Sequence, residues 1–229
     1  MLRRSWLIAA PLWLAAAGGL LWAAFEWSWW DWMRSLVIVF ATAVVLVSIG
    51  TFFAGLVVLT RGAGDIGLDP ACADGPRLVV IAKPLRLPDL RLYSEGAALV
   101  TVPQRRNAEG AVPAEVKSGN YLPSVLAMEE VRRRGAYEAV LCDGRGHVSE
   151  GASSNLYFVS KGCVRTPPGG VLLGVTRQVV LAMLRARGVP CEEAEVTLEE
   201  AAAADEAFLS SAVRGVMPIA SLDGAPIGD

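Results

Sequence analysis

The feature that most constrains this chain is where its charges fall. The 229 residues hold 21 basic and 23 acidic side chains, yet residues 1–60 carry only Arg3, Arg4, Glu26, Asp31 and Arg34. Residues 5–25 and 35–60 have no charge at all. A helix crosses a bilayer with about 20 apolar residues, so the pattern predicts two transmembrane helices, over 6–25 and 35–59. All seven tryptophans precede residue 33, and Trp27, Trp29, Trp30 and Trp32 fall between the two runs. Indole rings favour the headgroup region, which makes that segment an interfacial turn. Arg3, Arg4 and Arg61 flank the spans, so the positive-inside rule places both ends of the hairpin in the cytoplasm. Three other readings compete: a signal peptide ending near Ala15, Ala16 and Ala17, a pair of buried core helices, and an accident of gene structure.

Composition narrows the rest. Hydrophobic residues make up 53% and charged ones 19%, with a mean hydropathy of +0.42, which excludes intrinsic disorder. A net charge of −2 leaves no footprint for nucleic acid. His147 is the single histidine, and Cys72, Cys142, Cys163 and Cys191 stand far apart. Neither a metal site nor a disulfide framework is expected on that spacing.

Beyond Thr60 the pattern becomes a mixed α/β domain. Strands are predicted over 77–82 and 96–102, with Pro84, Pro88 and Pro103 as punctuation. A helix fits 119–134, with Pro123 in its first turn, Gly135 at its end, and Tyr121, Val125 and Met128 on one face beside Leu122 and Leu126. Residues 137–142 and 147–150 form a hairpin around Asp143-Gly144-Arg145-Gly146, and 155–159 with 163–166 form a second. A helix over 177–187 is expected to bury Val179, Val180, Met183 and Leu184, with Thr176 as cap. Thr197 and Glu200 make a capping box for a short helix, and 207–210 returns as a strand.

Lysine is scarce: Lys83, Lys117 and Lys161 stand against 18 arginines. Lys161 reads as a solvated turn residue and Lys83 as a strand-end charge. Lys117 precedes Ser118-Gly119-Asn120-Tyr121 at a helix start. It is either a surface lysine beside a cap or an amine that a flat ligand can approach over an unencumbered backbone. Glu150 closes a strand before Gly151-Ala152-Ser153-Ser154-Asn155. Its carboxylate either binds the protonated nitrogen of a heterocycle or is satisfied by local N–H groups. Gly174-Val175-Thr176 opens a helix whose free N–H groups suit a phosphate, as any helix start does. Ser210 and Ser211 end a strand and could add donors.

In this order and spacing, the motifs Lys117-Ser118-Gly119-Asn120-Tyr121-Leu122, Ser149-Glu150-Gly151-Ala152-Ser153-Ser154-Asn155, Thr166-Pro167-Pro168 and Gly174-Val175-Thr176-Arg177 resemble the class IV aminotransferases. Ala204-Asp205-Glu206-Ala207-Phe208 and Leu222-Asp223-Gly224 match as well, as do Thr60-Arg61-Gly62-Ala63-Gly64 and Gly67-Leu68-Asp69-Pro70 upstream. The likeness runs over roughly residues 57–229 and leans towards the branched-chain members. It implies a fold-type IV α/β domain dependent on pyridoxal 5'-phosphate. Lys117 would be the covalent handle for the cofactor aldehyde and the carrier of the substrate Cα proton. Glu150 would pair with the pyridine nitrogen, and Tyr121, one helical turn beyond Lys117, would approach the phenolic oxygen. Ser153 and Ser154 would line the cofactor, and Val175, Thr176 and Ser211 would hold its phosphate.

Residues 61–116 then form a remnant of the small domain and 117–229 the large domain, incomplete at both ends of the family pattern. Ala212 stands where many relatives carry a phosphate-binding threonine, and the apolar segment stands where the resemblance implies a segment that completes the small domain and supplies an arginine to the phosphate. The resemblance implies an amino acid and a 2-oxo acid as substrates, with a homodimer as the family's assembly. The charge pattern of the apolar segment places the domain on the cytoplasmic side of an inner or plasma membrane held by residues 1–60, or in the cytoplasm alone if that segment is accidental. An aminodeoxychorismate lyase-like activity on the same apparatus and a catalytically inactive membrane-anchored remnant are the alternatives.

Overall fold

The computed structural model describes residues 53–60, 70–73, 75–84, 86–105, 117 and 119–228. The chain divides into two compact units, residues 1–37 with 61–77 and residues 38–60 with 78–229. In the first unit the described element is a single 3-10 turn, Pro70–Cys72. The second carries the sheet and helices.

Most of the expected membrane hairpin, and the motif at 61–69, lie outside the described residues. The last two turns of the expected second span do not, and they are no helix. Phe53–Thr60 is a strand, β1, paired with β2 (Arg77–Pro84). Val57, Val58 and Thr60 are β-branched and Gly55 weakens a helix, so local preference favours extension once a neighbouring strand takes the backbone hydrogen bonds. Hydropathy alone cannot separate the two outcomes. Among the described residues no helix is long and apolar enough to cross a membrane.

The main sheet has nine strands. Eight follow the order β5-β4-β3-β10-β9-β6-β7-β8, and β11 (Ala225–Pro226) pairs beside β10. They are β3 (Ala97–Arg105), β4 (Glu138–Cys142), β5 (Val148–Gly151), β6 (Asn155–Ser160), β7 (Cys163–Thr166), β8 (Cys191–Glu193), β9 (Glu206–Ser211) and β10 (Gly215–Leu222). β3 runs parallel to β4 and β10, and β7 parallel to β8, while the other pairings are antiparallel. β5 and β6 are far apart in this order but joined by residues 152–154, so the sheet curls to bring them together. β3 extends through Pro103, which was expected to end it, and its register with β4 shifts beyond Thr101. That irregularity is where a residue without an N–H can be tolerated.

Alternation along the strands divides the core. Leu99, Val140, Leu156, Phe158, Leu209 and Met217 belong to one cluster, while Val100, Ala139 and Leu141 face the other way. Among the described residues four helices accompany the sheet: α1 (Leu92–Glu95), α2 (Leu122–Arg133), α3 (Val175–Ala186) and α4 (Leu198–Ala202). The expected buried face of α2 is reversed. Ala127 and Val131 pack on the β3–β4 surface, and Tyr121, Leu122, Val125, Leu126 and Met128 are exposed. Apolar side chains occur on both sides of this helix, and the small alanine permits the closer approach to the strands.

α3 starts at Val175, two residues earlier than predicted, with Gly174 as its N-cap and Thr176 inside its first turn. It buries Arg177, Val180 and Leu181, whereas Val179 and Met183 are exposed. Val180 meets Tyr157 and Val164, and Tyr157 stacks on Phe208 at 4.4 Å between centroids. The capping box forms as expected: Glu200 N donates to Thr197 Oγ1 and Thr197 N to Glu200 Oε2.

Candidate active site

Lys117 lies ahead of α2 and is half-buried, with its Nζ 5.3 Å from the centroid of the Tyr121 ring. Tyr121 is the N-cap of α2 rather than a residue within it. Gly119 between them has φ +77, a conformation costly for other residues, and no heavy atom stands within 4 Å of its missing Cβ. The pairing of amine and aromatic face is a cation–π contact.

Glu150 sits near the end of β5 and is 3% exposed. Its Oε2 accepts from the N–H of Leu172 at 2.9 Å. Leu172 lies two residues before Gly174, so the carboxylate and the start of α3 are separated by no more than about 7 Å of chain. The first N–H groups of a helix have no intrahelical acceptor, and Gly174 supplies no side-chain cap. A Cβ on Gly174 would come 2.6 Å from Asn155 Oδ1. The backbone at Gly174 is thus packed against Asn155, and the Val175 and Thr176 amides beyond it carry the positive end of the helix dipole.

Ser153, Ser154 and Ser211 are drawn into a different network. Glu138, at the first position of β4, is 0% exposed and accepts five hydrogen bonds. Oε1 takes the N–H groups of Ala139 and Ala152 at 3.0 and 3.1 Å. Oε2 takes Ser153 Oγ at 3.0 Å, Ser154 Oγ at 3.2 Å and Arg214 Nη1 at 2.7 Å. Arg214 also donates through Nη2 to the Ser153 carbonyl and hydroxyl, both at 2.8 Å, and through Nε to Ser211 Oγ at 3.0 Å. Both turns, residues 151–154 after Glu150 and 211–214 between β9 and β10, are tied to one buried ion pair. The hydroxyls of Ser153 and Ser154 serve Glu138, and that of Ser211 serves Arg214.

Arg177, in the first turn of α3, donates from Nη2 to the Pro167 carbonyl and to Glu193 Oε2, each at 2.9 Å. The Arg177 hydrogen bond holds the Glu193 carboxyl below its ordinary range against a smaller opposing effect of burial. Behind it, burial pushes the Tyr157 phenol up, offset in part by its hydrogen bond with Ser210 at 3.0 Å.

The structure thus gathers the sequence-derived residues into three groups: Lys117 with Tyr121, Glu150 with the start of α3, and the three serines with Glu138 and Arg214. Sequence reasoning missed Glu138, Arg214 and the side chain of Asn155. A charge at a strand start and another in a turn look solvated. The signal available was that both adjoin motifs already singled out.

Comparison with known proteins identifies the family and the fold of the chain. The family described as Amino-transferase class IV matches over residues 43–222. A protein of Methanocaldococcus jannaschii assigned as a branched-chain-amino-acid aminotransferase is 37% identical over 174 residues, 75% of this chain and 59% of that relative. The crystal structure of the Escherichia coli branched-chain amino acid aminotransferase superposes with a TM-score of 0.71 at 28% identity, over 78% of this chain and 60% of that one. The T.th. branched-chain amino acid aminotransferase, complexed with N-(5'-phosphopyridoxyl)-L-glutamate, gives 0.70 at 29%, over 78% and 58%. The chain belongs to the class IV aminotransferase family. It spans less than two thirds of the length of these relatives. The match begins at residue 43, inside the stretch expected to be a second membrane span, so family sequence reaches further towards the start than the motifs alone revealed.

Proposed function

We propose that this protein binds pyridoxal 5'-phosphate and transfers an amino group between an amino acid and a 2-oxo acid, with branched-chain amino acids as the substrate class. The observation that carries the reading is the buried Glu150 carboxylate, tied through one peptide to an uncapped helix start. An acid and an anion seat at that separation fit the nitrogen and the phosphate of a flat heteroaromatic cofactor. A half-buried amine at Lys117 is the group that its aldehyde would require. The likeness to enzymes solved with phosphopyridoxyl groups supports the same assignment.

When bound, the cofactor supplies an electron sink for the carbanion at the substrate Cα. The rest is the work of this chain. Lys117 Nζ would be the covalent attachment point for the cofactor and the base and acid that carries the substrate Cα proton. Glu150, buried and accepting from the Leu172 N–H, would pair its charge with the ring nitrogen and keep that nitrogen protonated. The Val175 and Thr176 amides orient the phosphate by the helix dipole. Tyr121 holds its ring beside Lys117 and would offer its phenol to the cofactor's phenolic oxygen. Ser153, Ser154 and Ser211 act through the turns they brace.

The test uses the full chain mixed with pyridoxal 5'-phosphate. A visible absorption band should form, and borohydride should fix the cofactor onto the peptide containing Lys117, while Lys117→Ala gives neither. Leucine, isoleucine and valine should then convert the band to the pyridoxamine form faster than alanine, and a 2-oxo acid should restore it. Wild-type protein that forms no band refutes the reading. Release of pyruvate from an aminodeoxychorismate substrate without an amino acceptor would replace transamination by lyase chemistry.

A further inference from the structure

The Leu172 peptide is held on both sides. Its N–H donates to Glu150 Oε2 at 2.9 Å, and its carbonyl accepts from Asn155 Nδ2 at 2.8 Å. The same carbonyl accepts from the N–H of Gly174 at 2.8 Å, which closes a tight turn directly into α3. Asn155 is the first residue of β6, and its backbone position is paired with Ser210 of β9. Its side chain is 7% exposed, and its Oδ1 lies against Gly174 so closely that a Cβ there would stand 2.6 Å away. One amide thus touches Leu172 with its donor edge and the N-cap with its acceptor edge.

We propose that Asn155 is a positioning residue that locks the Glu150 carboxylate to the N-terminus of α3, so that neither can shift without the other. Asparagine suits the position chemically. An aspartate would set an acceptor against the Leu172 carbonyl and add an anion near Glu150, and an aliphatic side chain would leave a buried carbonyl short of one donor. The amide arises from the rigid β6–β9 pair, so the loop over residues 167–174 takes its placement from the sheet rather than from its own sequence. The significance of the lock for a cofactor rests on the reading proposed above, with the ring nitrogen at Glu150 and the phosphate at the helix start. The lock itself belongs to the protein alone.

The experiment has two arms on the full chain. Without cofactor, amide hydrogen exchange is followed at Leu172 and at Leu209 in the sheet core, in wild type, Asn155→Ala and Gly174→Ala. The two variants disturb the lock from opposite sides, one by deletion and the other by intrusion. Each should speed exchange at Leu172 by about tenfold or more relative to Leu209, as expected for the loss of one buried hydrogen bond. A merely structural role would move both amides together. Unchanged relative protection at Leu172 in both variants overturns the proposal.

With cofactor, the affinity for pyridoxal 5'-phosphate is measured from the visible band in Glu150→Gln, Asn155→Ala and the double variant. Residues coupled through one peptide should give a combined loss smaller than the product of the single losses by about fivefold or more. Losses that multiply within about twofold refute the coupling. Wild-type protein with no band would show that the cofactor reading has failed, and the exchange arm would still decide the lock.

Discussion

Replacing Glu138 by glutamine conserves the shape of the side chain and removes its charge, at a position with no solvent exposure. The existing contacts decide the cost. Oε1 faces two backbone N–H groups that cannot reorient. The glutamine oxygen must stay there, so its NH2 replaces Oε2. Ser153 and Ser154 can rotate their hydroxyls to accept from it. Arg214 cannot adapt: its Nη1, now 2.7 Å from the acceptor, would meet a donor. Breaking a buried pair by removing one partner costs about 3–5 kcal/mol. Arg214 keeps its bonds to Ser153 and Ser211 and its side chain is 12% exposed, which favours the lower end. A loss of about 3 kcal/mol, divided by a urea dependence of about 2 kcal/mol per molar, lowers the urea midpoint by about 1.5 M. Equilibrium urea unfolding of the full chain, followed by circular dichroism, measures this. The decisive comparison is with Arg214→Met and the double variant. Removing both charges avoids the stranded one, so the double variant should lose at least ~1 kcal/mol less than the sum of the singles. Additive losses would refute the claim that the pair acts as one unit.

Two further outcomes follow from particular residues. Glu193 has its folded carboxyl held below the ordinary 4.5 by Arg177 and, less strongly, by Arg185, so its stabilisation is complete above that value and is lost as pH falls through the lowered folded value. Urea midpoints of wild type should exceed those of Glu193→Gln at neutral pH, and the gap should narrow progressively as pH falls below 4.5; a gap that stays constant to acid pH would rule the pair out as its source. Gly96, before β3, has φ +80, and a Cβ there would lie 2.8 Å from both the backbone N and the Cβ of Ala220 in β10. Gly96→Ala should therefore lose about 2–4 kcal/mol from backbone strain and overpacking together. Thermal unfolding would detect it, and a melting temperature within a degree of wild type would show that β10 gives way freely.

Much of the domain was legible because its signals are local. The hairpin at Asp143-Gly144-Arg145-Gly146 closes as its turn residues dictate, with Asp143 Oδ1 accepting from the N–H groups of Arg145 and His147. The Thr197–Glu200 box depends on residues three apart and forms as expected. The faces of the helices were not legible in this way. α2 has apolar side chains on both sides, and only contact with β3 and β4 chooses Ala127 and Val131 over Val125 and Met128. The strand at Phe53–Thr60 marks the same boundary, since an uncharged run satisfies its backbone by whatever partner the fold provides.

By itself the sequence determined the candidate groups and their order: an amine at 117, an acid at 150, a glycine opening a helix at 174. Chemistry of this kind belongs to residue types and short spacings, which survive in one dimension. Tertiary structure alone decided what holds them. Glu138 and Arg214 meet across 76 positions, and Asn155 reaches Leu172 across 17. Such partners are chosen by the curl of the sheet and by the requirement that every buried polar group find its complement, neither of which leaves a periodic trace along the chain.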